Sequence, residues 1–138
     1  MKINIARLSE DREIELFEEW DPDIFDLDAP GINYEGPLAV RAYARKESGI
    51  VEVKVFLKAK TTLTCARCFK EFLSPLDKTL KMIYPLESGR KIFLVDGNIR
   101  EELILTYPQK ILCKLDCKGL CVRCGADLND EKCRCTLN

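Results

Sequence analysis

The run Leu38-Ala39-Val40-Arg41-Ala42-Tyr43-Ala44-Arg45-Lys46-Glu47-Ser48-Gly49-Ile50-Val51-Glu52-Val53-Lys54-Val55-Phe56-Leu57-Lys58-Ala59-Lys60 decides the fold. Leu38, Val40, Ala42 and Ala44 alternate with Ala39, Arg41, Tyr43 and Arg45, and Glu47-Ser48-Gly49 supplies turn chemistry. A second alternating run follows, with Val51, Val53, Val55, Leu57, Ala59, Thr61 and Leu63 on one face and Glu52, Lys54, Phe56, Lys58 and Lys60 on the other. A period of two over both runs predicts a long antiparallel β-hairpin with one buried face. Its outer face would carry Arg41, Arg45, Lys54, Lys58 and Lys60 with Tyr43 and Phe56 among them, a mixture suited to phosphate contacts and base stacking. An ordinary solvated sheet face, on which the two aromatics cover their cross-strand neighbours, accounts for the same pattern.

Beyond the hairpin, Phe72 to Tyr84 alternates again and predicts a third strand, with Pro75 placing its start at an edge or bulge. Lys91–Val95 predicts a short strand. Asn98 is the expected cap of a short helix, with Glu101 at the reciprocal position, Ile99, Leu103, Ile104 and Tyr107 inward and Pro108 as the stop. Residues 9–35 contain Asp21-Pro22, Ala29-Pro30-Gly31 and Gly36-Pro37 close by, and they predict a wrapping, mostly irregular segment in which Glu13–Leu16 suits either strand or helix.

The whole chain has 138 residues, enough for one ordinary domain and a small appended module. Its charges are segregated. Residues 1–35 carry three basic and eleven acidic side chains, a net of −8; residues 36–91 carry twelve and five, a net of +7; residues 92–138 carry seven of each. Such asymmetry fits either a polyanionic partner for the middle segment or an acidic segment lying across a basic one. The first residues turn acidic by Glu10-Asp11 and lack the apolar stretch of a secretory signal, and no apolar run approaches the ~18 residues of a membrane span. A cytoplasmic protein is expected, with no membrane partner.

Histidine is absent and cysteine occurs eight times. The first fact removes imidazole-based nucleophilic, metal-hydrolase and proton-shuttle chemistry, so binding or structure is expected rather than catalysis, with no small-molecule substrate. The second, in a reducing compartment, points to thiolates around a metal. Six cysteines fall in Cys113-x3-Cys117-x3-Cys121-x2-Cys124-x8-Cys133-x-Cys135, within a stretch too poor in large apolar residues to form a core. Zn2+ is the expected ion. The preferred tetrad is Cys121, Cys124, Cys133 and Cys135, with Cys117 the first substitute and Cys113 the second. Cys65-Ala66-Arg67-Cys68, at the end of the long strand, leaves three readings open: half of a second site with Cys113 and Cys117, a redox dithiol, or a packed turn. In each, Arg67 lies beside the thiols.

The expected architecture is therefore α+β: a strand-rich antiparallel body over residues 1–108, with a long β-hairpin and one short helix, and a zinc-ribbon or knuckle-like cysteine module over 109–138.

Leu63-Thr64-Cys65-Ala66-Arg67-Cys68, the helix ending Leu103-Ile104-Leu105-Thr106-Tyr107-Pro108, and the run from Cys113 through Cys117-Lys118-Gly119-Leu120-Cys121-Val122-Arg123-Cys124-Gly125 to Cys133-Arg134-Cys135 together resemble the YceD family of large ribosomal RNA accumulation proteins. Val122 departs from the proline usual in that family's knuckle. The resemblance implies a metal-binding, non-enzymatic factor of ribosome biogenesis whose partner is rRNA or a pre-ribosomal particle. Arg41, Arg45, Lys54, Lys58, Lys60 and Arg67 are the candidate RNA contacts. Two alternatives remain: an adaptor for a ribosomal protein or assembly enzyme, and a thiol redox or metal-responsive switch.

Overall fold

The computed structural model describes residues 1–87 and 89–135; the last three residues of the expected module lie outside them. In chain order the elements are β1 (Lys2–Asn4), a 3-10 turn (Ile5–Arg7), β2 (Ile14–Trp20), β3 (Ile32–Tyr34), β4 (Leu38–Glu47), β5 (Ile50–Ala59), β6 (Thr61–Thr64), β7 (Glu71–Leu73), β8 (Leu76–Pro85), β9 (Ile92–Leu94) and α1 (Asp96–Leu105). All strand pairing is antiparallel: β2-β4-β5-β8 form one sheet, β3-β6-β7 a second, and β1-β9 a two-stranded ribbon.

The expected hairpin is β4–β5. Its two-residue turn, Ser48-Gly49, has φ of +45° and +83°, the left-handed pair whose twist matches that of the flanking strands. The inward residues of both strands, Leu38, Val40, Ala42, Ala44, Val51, Val53, Val55 and Leu57, are fully buried. They pack beneath Leu80 and Met82 of β8, Ile99 and Leu103 of α1, and Ile3, Phe93, Val95, Leu27 and Trp20 from the surrounding segments. Trp20 stacks on Phe25 at 4.1 Å between ring centroids.

Two expected strands are each broken in two. The run Val51–Leu63 stops pairing at Lys60, and Phe72–Tyr84 stops at Ser74-Pro75. The neighbouring run β3–β4 stops at the same level, at Glu35-Gly36-Pro37. Proline has no N–H to donate to a ladder, and Gly36 takes φ of +118°, so the three ribbons are creased along one line. The crease is itself hydrogen-bonded, with Ser74 N donating to Thr61 O at 2.8 Å, the Thr61 hydroxyl donating to Ser74 O, and Glu35 N donating to Lys60 O at 2.8 Å. On one side of it the strands cover the core; on the other they carry the loop with Cys65 and Cys68.

Two further expectations are corrected. Residues 9–35 wrap the body, but they also contribute β2, an edge strand paired along its length with β4, and β3. Glu18 on the inward side and Phe17 on the outward side disguise the alternation of β2; inside, Glu18 accepts a bond from Trp20 Nε1 at 3.1 Å. The helix starts earlier than expected, at Asp96, with Val95 as its cap and no capping side chain, so Asn98 lies within the first turn. Val95 is fully buried and its carbonyl accepts from Ile99 N at 2.9 Å; burial thus sets the start that local capping chemistry would have set later. Arg100 then ties the helix to the wrapping segment, donating to Phe25 O at 2.7 Å and pairing with Asp26.

In urea unfolding of the metal-loaded protein, Leu57→Ala is expected to cost about 2–5 kcal/mol because it opens a cavity under the sheet. Ile83→Ala, on the open face of the same sheet, should stay within about 0.5 kcal/mol of the parent.

Candidate metal centres

The loop between β6 and β7 is Cys65-Ala66-Arg67-Cys68-Phe69-Lys70. Cys65 N donates to Lys70 O at 2.9 Å and Phe69 N to Cys65 O at 3.0 Å, closing a tight knuckle. Cys121-Val122-Arg123-Cys124-Gly125-Ala126 repeats that bonding, with Cys121 N to Ala126 O at 2.8 Å and Gly125 N to Cys121 O at 2.9 Å. Both loops need a left-handed residue after the second cysteine. Gly125 supplies it at φ +72°, whereas Phe69 supplies it at +59° despite its Cβ.

The eight sulfurs gather into two groups, Cys65, Cys68, Cys113 and Cys117, and Cys121, Cys124, Cys133 and Cys135; within each, the four sulfurs lie within 4.8 Å of one another. Four thiolates at about 2.3 Å from a central ion stand about 3.8 Å apart. Cys65 and Cys117 are separated by 3.7 Å, Cys68 and Cys113 by 3.6 Å, Cys121 and Cys135 by 3.7 Å, and Cys124 and Cys133 by 3.9 Å. These distances are far beyond a disulfide bond, and both groups could hold a metal ion. The four cysteines of the preferred tetrad stand together in the second group. Cys113 and Cys117 sit with Cys65 and Cys68 rather than substituting in it.

The two centres differ in surroundings. In the first, Cys65, Cys68 and Cys117 are buried under Phe72, Leu112 and Leu120; in the second, Cys124 and Cys133 are exposed. Burial pushes the Cys65 thiol up, but the amides of Cys68, Cys113 and Arg67 directed at its sulfur outweigh this and bring it to about 6. At Cys121 the amides of Cys124 and Arg123 lead, again to about 6. Cys113 is pushed up to about 12, first by burial and then by the neighbouring thiols. A crowded thiol cluster of this kind exchanges protons for a cation, so affinity falls as pH falls.

Residues outside the cysteine motifs complete the first centre. Asn129 Nδ2 donates to Cys117 Sγ at 3.4 Å, while its Oδ1 accepts from Lys118 N at 2.9 Å. Asn129 stands between Cys124 and Cys133, so a loop belonging to the second centre supports the first. Lys70 strengthens the link: its ammonium lies 2.8 Å from Asp127 Oδ2 and also pairs with Asp130. Lys70 beside it, with help from the Asn129 amide, holds the Asp127 carboxyl down at about 2. Arg67 donates to Cys117 O at 2.7 Å, and Gly119 lies so close that a Cβ would meet Arg67 O at 3.1 Å. Arg67 is therefore a brace between loops. A single Asn in a polar loop gives no periodic signal, which is why sequence reading missed Asn129.

The candidate RNA contacts Arg41, Arg45, Lys54 and Lys58 all lie on the open face of the four-stranded sheet, and each is ion-paired there. Arg41 pairs with Glu15, Lys58 with Asp77 at 3.5 Å, and Arg45 and Lys54 with Glu52 at 3.4 and 3.8 Å. Lys81 joins Glu52 at 2.9 Å. Part of the acidic N-terminal segment thus lies alongside the basic middle, through Glu15 on β2. Lys60 stands at the crease, away from that grid.

The family model described as large ribosomal RNA subunit accumulation protein YceD matches residues 53–137, which takes in all eight cysteines and leaves out β1 to β4. No curated protein and no solved structure matches.

Elemental analysis should give two metal ions per chain, falling to one in Cys68→Ser and to one in Cys133→Ser. Asn129→Ala should keep two ions but weaken the first centre by about 10–100-fold in chelator competition.

Proposed function

The chain belongs to the YceD family, and from that membership and the open sheet face we propose a non-enzymatic factor in large-subunit rRNA accumulation, bound to zinc and in contact with rRNA or a pre-ribosomal particle in the cytoplasm. Four soft thiolates in a compact, all-sulfur set favour zinc and leave no position on the ion for a reacting water. Each centre then has a structural task.

The observation that carries the RNA reading is the placement of Arg41, Arg45, Lys54, Lys58 and Lys81 on one uncovered face, opposite the core. Against these five cations the same face sets Glu15, Glu19, Glu47, Glu52 and Asp77, so its charges balance and every cation has a carboxylate that a phosphate could replace. Exposed ion pairs are worth about 0–1 kcal/mol, so exchanging a carboxylate for a phosphate costs little. Glu52, buried among Arg45, Lys54 and Lys81, keeps those three cations in array. The metal end is less suited to phosphate, because four thiolates about a divalent ion carry a net −2 at each centre. Lys114, Lys118, Arg123 and Lys132 have that charge to answer.

A second reading, an adaptor for a basic ribosomal protein, draws on the hollow lined by Glu19, Asp21, Asp23 and Asp28 at the end of β2. Pull-downs with and without nuclease separate the two. None of the described helices is long and apolar enough to cross a membrane.

Binding to large-subunit rRNA fragments should weaken with salt, with a shallow log–log slope of about −2 to −4 for a few phosphate contacts. Lys54→Glu combined with Lys58→Glu and Lys60→Glu should lower that affinity at least tenfold. Affinity indifferent to both salt and charge reversal would remove this face as the contact.

A further inference from the structure

The open face is a grid fixed by cross-strand register. Phe17 of β2 stands opposite Arg41 of β4, Arg41 opposite Phe56 of β5, Tyr43 opposite Lys54, and Ala39 opposite Lys58. Aromatic rings and cations therefore alternate in both directions. The Arg41 guanidinium lies 5.4 Å from the centre of the Phe17 ring, and Tyr43 meets Phe56 edge to face at 5.8 Å. Phe17 is 53% exposed, on the face of the sheet opposite the core. At Ala39 the grid has a methyl group where its neighbours carry long side chains. The result is a depression of about 440 Å³ lined by Phe17, Ala39, Arg41, Tyr43, Phe56 and Lys58.

We propose that this depression receives an unpaired base of rRNA, stacked against the Phe17 and Phe56 rings over Ala39, while Arg41, Lys54 and Lys58 meet the phosphates on either side. The proposal rests on the RNA reading above and specifies it: the ligand is single-stranded. A flat, ring-lined hollow with a cationic rim matches a base attached to a phosphate backbone. Paired bases are stacked inside a helix and cannot enter it. A hydrophobic protein segment would match the rings but would leave Arg41, Lys54 and Lys58 facing no anion beyond those they already have. Phe17, Ala39, Arg41 and Tyr43 precede residue 53 and lie outside the part of the chain matched to the family, whereas Lys54, Phe56 and Lys58 lie inside it.

The test uses the full, metal-loaded chain and a labelled RNA of about 12 nucleotides without self-complementarity, free or annealed to its complement. The single strand should bind at least tenfold more tightly than the duplex. Phe56→Ala and Phe17→Ala should each weaken the single strand by about tenfold. Ala39→Leu, which keeps every ring and charge but fills the hollow, should do the same, with the unfolding midpoint unchanged in all three. With 4-thiouridine in the strand, crosslinks should map to β2, β4 and β5. Salt-sensitive binding to rRNA fragments that is unaffected by Ala39→Leu and Phe56→Ala would overturn the slot and leave the wider RNA reading standing. Equal affinity for duplex and single strand would likewise overturn it. No binding to any RNA would sink both, as would loss of a ribosomal protein, rather than RNA, on substituting these residues.

Discussion

Four sulfurs drawn from two distant parts of the chain meet where one metal ion could tie this architecture together. Cys65 and Cys68 cap a β-ribbon, Cys113 and Cys117 follow the helix, and their convergence decides where the last thirty residues lie. Few other forces could do so. Between residues 109 and 135 the buried apolar side chains are Ile111, Cys117 and Ala126, with Leu112, Leu120 and Leu128 partly covered, far less apolar surface than an independent module requires. With an ion bound, the free energy of coordination is folding free energy, and the first centre delivers it across the expected boundary between body and module.

The second centre is organised by the same knuckle but in a different setting. Its sulfurs are more exposed, and its contribution to the rest of the molecule passes through the loop between Cys124 and Cys133. That loop presents Asn129 to a sulfur of the first centre and Asp127 and Asp130 to Lys70. The centres are thus mechanically joined: ordering the outer one places the groups that support the inner one. The left-handed Phe69 is the exception to local economy. Gly125 shows that the knuckle favours glycine there, and Phe69 accepts the strain while remaining 67% exposed.

Much of this was legible residue by residue. The alternation from Leu38 to Leu57 specified the hairpin, its turn and its buried face, because period two with one apolar side has a single low-energy arrangement. The Cys-x-x-Cys spacings announced thiolate sites, but spacing left open which four cysteines belong together, with Cys117 and Cys113 standing as substitutes in the preferred tetrad. The crease was less legible. Pro75 and Gly36-Pro37 marked breaks in two of the ribbons, but Lys60 carries no breaking signal of its own; it ends β5 because its neighbours change partners there. Asn98 looked like a helix cap and was overruled by the burial of Val95, three residues earlier in the chain.

By itself, then, the order of residues determined a sulfur-rich, strand-dominated chain with one amphipathic hairpin and no imidazole chemistry, since these depend on local pattern and composition. Tertiary structure alone decided that Cys113 and Cys117 join Cys65 and Cys68, that Asn129 supports them, and that the basic face is laced with Glu15, Glu52 and Asp77. Those facts depend on which segments lie side by side after folding. Local pattern carries no record of contacts formed across 45 and 52 residues, as between the sulfurs of the first centre, or across 26, as between Arg41 and Glu15.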